Sequence, residues 1–352
     1  MSKQSSLALL GAVAALFVAL APLPLNGQSV NYGALEQLFN EPVTTSVTGS
    51  PQRVSDVPAT VEIVTAEDIR RSGAKDIPGV LRHVAGVDTL EWGNDNTDVS
   101  IRGYNQAFSP RLLVLIDGRQ VYADDFGYTP WSSIPIELSA IRQIEVIKGP
   151  SSALFGFNAV GGVINIITYN PFFDHVNTVS ITGGTQNLVS ASAVITPRLG
   201  ERVAVMLSAR GSMDDDFSTA IPPAEVLASR RPQDLAAVDI HGVIRLKEKM
   251  HLDFEASHSV AQLNEMATSY QLMNARRITS SARGQFTAEG RPFGLFQASA
   301  YTNWLKTTNS PGVLNQDLRL NSRLTVVEAH DIYRLGEYHN ARSSGISAEH
   351  RR

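Results

Sequence analysis

Ile144-Glu145-Val146-Ile147-Lys148-Gly149-Pro150 runs on through Leu154-Phe155-Gly156 to Gly161-Gly162-Val163-Ile164-Asn165-Ile166-Ile167-Thr168. The stretch reads as a strand, a glycine–proline turn, a short helical turn, a glycine pair and a second strand. Gly149-Pro150 breaks the first strand and starts the helical turn, because proline tolerates the first helical position. Gly156, Gly161 and Gly162 suggest positive φ or close approach of another backbone. A phosphate-cradling Walker loop requires Gly-Lys-Ser/Thr after its turn, and none follows here.

Working outward, the region from Pro58 to about Tyr169 is mixed α/β. Val61 to Val64 is a short strand, and Thr65 with Asp68 three residues later forms a capping box for a helix that Gly73 ends. Asp76 starts another helix with Pro78 in its first turn, apolar face Ile77, Leu81 and Val84, and stop at Gly86. Val99 to Arg102 and Leu112 to Asp117 read as strands, the second closing at the turn Asp117-Gly118. About 110 residues suffice for one small core.

After His175 the pattern changes to a period of two in segments of about ten residues. Val203, Val205, Leu207 and Ala209 alternate with Ala204, Met206, Ser208 and Arg210. Val238, Ile240, Gly242 and Ile244 alternate with Asp239, His241, Val243 and Arg245, and Leu252, Phe254 and Ala256 with His251, Asp253 and Glu255. Phe296, Ala298, Ala300, Thr302 and Trp304 face away from Gln297, Ser299 and Tyr301. Short connections such as Lys247-Glu248-Lys249 take turns with long ones such as Ser212 to Asp234 and Gln262 to Arg277, the rhythm of a membrane β-barrel. A soluble β-sandwich shares the alternation.

The chain has 352 residues, 30 Lys+Arg against 34 Asp+Glu, and no cysteine. Near charge balance argues against nucleic acid as a partner. The missing thiols exclude disulfides, thiolate metal sites and cysteine nucleophiles. A mean hydropathy of −0.06 is too polar for a helical membrane bundle. Only Leu7 to Ala21, preceded by Lys3, is a long apolar run; it suits a secretory leader cleaved after Ser29, the alternative being an uncleaved anchor. Residues 30–57 hold one short helical pattern (Leu35, Leu38, Phe39) and an extended run, Glu41 to Pro51, whose prolines and β-branched residues suit a tethered strand and not a buried core.

Five segments in register carry a family likeness: Pro58 to Thr65, Glu67 to Ala74, Ile101-Arg102-Gly103, Leu115 to Gly118, and the closing stretch quoted above. Together they resemble the plug domain of TonB-dependent outer-membrane receptors. The resemblance implies an α+β plug, a small mixed sheet with short helices, at 58–172. Antiparallel transmembrane β-barrel strands follow at 176–352, against 22 strands in the intact family. It implies outer-membrane localisation, no enzymatic activity, and uptake of a scarce ligand such as a ferric siderophore or cobalamin with energy transduced by TonB. The implied partners are TonB, outer-membrane lipids and a small molecule such as a metal chelate; no cofactor is implied.

By the same likeness Arg102, Gly103, Asp117, Gly118, Glu145, Lys148, Gly149, Pro150, Gly156, Gly161, Gly162 and Asn165 form the plug's structural and charged set. Arg102 and Glu145 are expected to pair with each other or with charges on the wall. Glu41 to Thr48 resembles a TonB box, with Pro42, Val43, Thr44, Thr45, Ser46, Val47 and Thr48 adding a strand to TonB through backbone hydrogen bonds. Trp92, Tyr122, Asp124, Asp125 and Trp131 lie in plug loops that would face the ligand. No catalytic or metal constellation emerges. No His-Glu-x-x-His motif occurs, and His251, Asp253 and Glu255 on one strand face read as lumen lining before they read as metal ligands.

About nine candidate strands follow residue 175. A domain of ~115 residues has a radius of gyration near 13 Å, while an eight-stranded barrel is filled by its own side chains. With an end at His350-Arg351-Arg352 instead of an aromatic-terminated strand, the expectation is the N-terminal half of a receptor, unable to insert or transport alone. The rival readings are a periplasmic or secreted plug-containing binding protein with a soluble β-domain, a secreted β-sandwich enzyme, and a non-functional fragment.

Overall fold

The computed structural model describes residues 31–47, 51–93, 96–103, 111–121, 129–155, 159–215, 233–266, 272–289, 294–310, 319–335, 339–344 and 348–351. The expected leader, Thr48, Tyr122, Asp124, Asp125 and Gly156 lie outside them.

Helix α1 (Tyr32–Phe39) is capped by the Asn31 side chain, and β1 (Val43–Thr44) pairs antiparallel with β2 (Gln52–Arg53). Strand β3 (Thr60–Thr65) leads into α2 (Ala66–Ser72) through the expected capping box, with Asp68 N donating to Thr65 Oγ1 at 3.2 Å and Thr65 N to Asp68 Oδ2 at 3.0 Å. Gly73, at φ 64°, ends α2 in the left-handed conformation that a Cβ disfavours. The Asp76 carboxylate caps α3 (Ile77–Leu81), which stops at Leu81 and not at Gly86. The chain continues there in turns that still bury Val84.

A hairpin of β4 (Val87–Gly93) and β5 (Asn96–Ile101) comes next; the first of these strands has no counterpart in the sequence reading. Strands β6 (Leu112–Ile116), β7 (Arg119–Gln120), β8 (Ile141–Lys148) and β9 (Gly162–Thr168) join β3 in a five-stranded sheet of order β3-β8-β9-β6-β7. Only the β6–β9 pair is parallel. The short helix α4 (Ser152–Phe155) lies on the β8–β9 connection.

Every residue of β6 and β9 is buried, because the sheet is covered on both faces. One face carries Val64, Val114, Ile116, Ile144, Val146, Ile164 and Ile166 against α2, α3 and the 131–136 segment. The other carries Leu113, Leu115, Ile147 and Val163 against Val47 and Val57 of the N-terminal segment. That segment is therefore a layer of the core. The expectation of a stretch unable to bury apolar surface is corrected: Val43 is 0% exposed and Val47 4%.

Beyond the plug the chain forms one antiparallel sheet: β10 (Thr178–Gly183), β11 (Val189–Ile195), β12 (Arg198–Leu199), β13 (Val203–Asp214), β14 (Gln233–Lys247), β15 (Met250–Met266), β16 (Leu272–Glu289), β17 (Leu295–Ser310), β18 (Arg319–Leu335), β19 (His339–Ser344) and β20 (Ala348–Arg351). Strand β12 continues β11 in the same register past Pro197, and β20 continues β19 along β18, so the eleven segments form nine staves. Among the described residues no pairing joins β10 to β19 or β20.

Polarity in this wall is the reverse of a soluble sheet. Ser208, Asp239, His241, His251, Glu255, Ser257, Ser259, Arg277 and Ser281 are buried toward the plug. Val179 and Ile181 are 79% and 81% exposed on the far side, with Val189, Met213, Val238, Ile240 and Leu246 also exposed there. Gly242 belongs to this outer face, and the Phe254 ring of the paired strand lies over it so closely that a Cβ would clash at 2.0 Å.

Candidate functional site

Two polar assemblies stand out in an otherwise apolar plug: a strip beneath the N-terminal segment, and a seam between plug and wall. The strip comes from the opening stretch itself. Gln143 and Glu145 alternate onto one face of β8, and Asn165 of β9 pairs with Glu145 across the ladder.

The N-terminal segment is fastened there. Thr44 Oγ1 donates to Glu145 Oε2 at 2.5 Å, Gln143 Nε2 donates to the Val43 carbonyl at 3.0 Å and to Glu145 Oε1 at 2.7 Å, and Asn165 Nδ2 donates to Ser46 Oγ at 2.7 Å. Burial pushes the Glu145 carboxyl well above the usual carboxylate range, while the hydrogen bonds from Ser46, Thr44 and Gln143 pull it back down. Tyr32 bonds Thr45 Oγ1 at 2.7 Å, and its phenol is raised by burial and by the Glu145 charge.

Arg142, on the neighbouring position of β8, is a second fastening. Its guanidinium bonds Glu36 Oε2 of α1 at 2.8 Å and Asp174 Oδ1, at the exit from the plug, at 3.0 Å. It also lies 5.4 Å from the centre of the Tyr32 ring.

The seam is polar along its length. Thr168 Oγ1 donates to Asp117 Oδ2 at 2.7 Å and lies 3.2 Å from His241 Nδ1 of the wall. Burial raises the Asp117 carboxyl, with the Glu255 charge adding to it. Arg119 Nη1 donates to Asn303 Oδ1 at 3.1 Å, and Asn303 Nδ2 to the Gln120 carbonyl at 2.8 Å, so one wall side chain reads both residues of β7. Ser259 Oγ donates to the Ser133 carbonyl at 2.8 Å, and Lys75 pairs with Asp214 at 3.3 Å. Within the wall, Arg283 pairs with Glu255, and His251 Nε2 lies 3.2 Å from Asp253 Oδ2. The trio His251, Asp253 and Glu255 thus shares one lumen-facing side, its acids engaged by neighbours.

The expected charge pair is corrected. Arg102 falls past the end of β5, at φ 59° in an exposed turn with Gly103 at φ 78°. Glu145 is 0% exposed and takes neutral donors in place of an arginine. Lys148 bonds Glu62 at 2.5 Å and the Ala85 carbonyl at 2.6 Å. Asp117 and Gly118, at φ 48° and 84°, form the expected hairpin turn. Gly149, at φ 113°, donates its N–H to the Gly161 carbonyl at 3.0 Å, with Pro150 exposed next to it. Gly162 is a true close approach, since a Cβ would meet the Ile147 carbonyl oxygen at 2.5 Å.

Trp131 is corrected as a ligand-facing aromatic: it is 7% exposed and packs into the plug core with Ile134 and Ile136. Trp92 lies on β4. The sequence reading missed Arg142, Gln143, Arg119, Thr168 and Asn303. The first two carried a signal, being polar residues inside the apolar run Ile141 to Ile147.

A sheet with its polar face turned inward, closing over a two-faced α/β domain with which it shares a polar seam, is the arrangement of a plugged membrane barrel. The family model of the TonB-dependent Receptor Plug Domain matches residues 53–163. Residues 53–163 of this chain thus form a TonB-dependent receptor plug domain.

The vitamin B12 transporter BtuB of Photobacterium profundum is 33% identical over 211 residues, 60% of this chain and 34% of that protein. The iron-regulated outer membrane virulence protein of Vibrio cholerae is 37% identical over 134 residues, 37% of this chain and 20% of that protein. Among solved structures, a ferric enterobactin receptor (PfeA) from Pseudomonas aeruginosa aligns with a TM-score of 0.60 at 19% identity, covering 82% of this chain and 47% of its own. The ferric yersiniabactin uptake receptor FyuA from Yersinia pestis aligns with a TM-score of 0.60 at 16% identity, over 81% and 47%. These two likenesses concern the fold. The chain spans about a third of the Photobacterium relative and a fifth of the Vibrio one.

Proposed function

We propose that the chain is part of an outer-membrane receptor that takes up a scarce ligand, a ferric siderophore, cobalamin or a similar chelate, with energy transduced by TonB. A leader at 1–29, a TonB-contacting segment within 30–57, a plug at 58–172 and wall strands from 176 onward make up its parts. The reversed polarity of the wall carries the membrane part of this reading: apolar side chains left exposed together with a buried polar lining suit lipid outside and a wet lumen within. The ligand class comes from what the relatives are named for, and the partner from the description of the plug family.

Residues 42–48 serve as the strand that TonB pairs with. The docked geometry supports this: residues 43–47 are held by hydrogen bonds to Gln143, Glu145 and Asn165 together with the buried Val43 and Val47 side chains, contacts that a competing strand exchanges for backbone hydrogen bonds. Pulling on it loads β8 and β9 at Glu145 and Asn165. Proline at Thr45 removes a backbone donor and the Tyr32–Thr45 hydrogen bond, while every side chain of the plug sheet is kept. In cells carrying the receptor, T45P is expected to abolish energy-dependent uptake of the ligand while surface binding stays intact. Uptake at the parental rate would sink the assignment of 42–48.

A further inference from the structure

At Thr168 the plug and the wall share one chain of hydrogen bonds, and the single hydroxyl proton sets its direction. The Thr168 backbone N–H donates to Asp117 Oδ1 at 3.0 Å and the hydroxyl to Asp117 Oδ2 at 2.7 Å. Both Asp117 oxygens accept, as those of a carboxylate do. The hydroxyl proton is thereby committed within the plug. The 3.2 Å contact to His241 Nδ1 of β14 is left to a Thr168 lone pair, so Nδ1 carries a hydrogen and donates. The other ring nitrogen, Nε2, lies 4.0 Å from Asp253 Oδ1 of β15.

His241 is 7% exposed, too little for water to replace a lost contact. Each neutral form of the ring gives one contact up. With the hydrogen on Nδ1, Nε2 turns a bare lone pair toward a carboxylate. With it on Nε2, Thr168 must swing its hydroxyl off Asp117 to reach Nδ1. Only the imidazolium, with both nitrogens as donors, completes the run Asp117–Thr168–His241–Asp253 across the seam.

The surrounding charge agrees. Asp117 of the plug, Asp239 of β14, and Asp253 and Glu255 of β15 surround the ring, together with the guanidiniums of Arg119 from β7 and Arg283 from β16. Four carboxylates thus meet two guanidiniums, and an imidazolium narrows the excess. His251, the second imidazole of the cluster, has its Nε2 3.2 Å from Asp253 Oδ2 and a buried Nδ1 with no partner. That fits a ring carrying one hydrogen, on Nε2. Arg245, the cross-strand neighbour of His251, is turned onto the Phe172 ring, 4.3 Å from its centre.

The geometry points to His241 as a proton-operated latch between wall and plug. Charged, it ties β14 and β15 to β9 and the β6–β7 turn; neutral, it lets the seam open. Histidine is the side chain that changes charge near neutral pH. The closed seam holds a proton that the opened, hydrated seam gives up above the ordinary imidazole value of about 6.5. Closure is therefore strongest below that value and weakens as pH rises beyond it.

The chain has no cysteine, so a thiol at Ser208, buried on the lumen side of β13 one row from His241, reports opening. The full chain carrying Ser208→Cys is labelled in zwitterionic detergent micelles with a methanethiosulfonate reagent. Each rate is divided by that of Ser208→Cys/His241→Gln at the same pH, which cancels the titration of the thiol itself. The ratio is expected to climb at least about fivefold between pH ~6 and pH ~9, since release of one proton allows up to about tenfold per pH unit. A flat ratio overturns the latch. Adding His251→Gln to both chains should leave the climb in place; its loss there moves the switch to His251 and overturns the assignment. Adding Asp253→Asn should flatten it, and an unchanged climb means that the run does not end on that carboxylate. Should His241→Gln fail to fold, Thr168→Val, which removes the acceptor on the plug, takes its place as the reference, and a flat ratio against it counts equally.

Discussion

The plug sheet and the wall obey the same local rule with opposite outcomes. Each is built from strands whose side chains alternate between two faces. In the plug, both faces are covered by the chain itself, so β9 reads as an unbroken apolar run with Asn165 the polar exception before Thr168. In the wall, the apolar face is left open and the polar face is covered. The difference teaches that burial of a side chain says nothing about its polarity until the medium on each side is known. Ile164 and Ile240 are both outcomes of the hydrophobic effect, one satisfied by α2 and α3, the other by a solvent the chain does not supply.

That contrast can be broken from either side. The largest effect is expected at Ile164→Ala, which empties a fully buried site in the plug core and should cost about 3 kcal/mol. Limited proteolysis of the plug reads it, and cleavage at the parental rate would mean the sheet is not the plug's core. A smaller effect, roughly 2 kcal/mol, is expected for Ile240→Arg on the outer face, because a cation there enters hydrocarbon. Its measure is partition into lipid vesicles; were the substitution silent, as on an ordinary soluble surface, the sandwich reading would return.

The smallest effect is a pH dependence at the strip. Burial raises the Glu145 carboxyl in the docked segment, whereas release returns it to the ordinary range. The docked form therefore holds a proton that the released form gives up. Docking is strongest below the ordinary carboxylate range and weakens as pH rises through the raised value. Tyr32, the titratable group facing it from α1, is itself raised and stays protonated there. With no native cysteine, maleimide labelling of Val47→Cys reports release. Relative to the same labelling with Glu145→Gln, the rate should climb with pH; a flat ratio removes Glu145 from the control of docking.

Much of this fold was legible in the residues. The capping box at Thr65 and Asp68, the turn at Asp117-Gly118, the close approach at Gly162 and the period of two after His175 are local consequences of backbone sterics and patterning. They needed no neighbour to be inferred. The helix at Asp76 was legible in its start and not in its stop, since Leu81 to Gly86 keeps its apolar spacing while the backbone turns to meet β4. The candidate site was less accessible. Glu145 looked like half of an ion pair because a charge in an apolar run calls for a partner, and nothing local says that Thr44, 101 residues away in the chain, supplies it. Trp131 looked like a loop aromatic because its sequence neighbours are polar, while its packing partners come from other elements.

The sequence by itself determined strand and helix periods, the turns at glycine and aspartate, and the family that their order identifies. All of these depend on interactions within a few residues. Tertiary structure alone decided that the N-terminal segment is a layer of the plug, and that Arg142 and Glu145 hold it there. It also decided which face of each wall strand looks to the plug, and that His241 of the wall meets Thr168 of the plug there. The physical reason is the same in each case: strand register and packing bring together groups far apart in the chain, and a side chain's partners are set by that geometry, not by its neighbours in sequence.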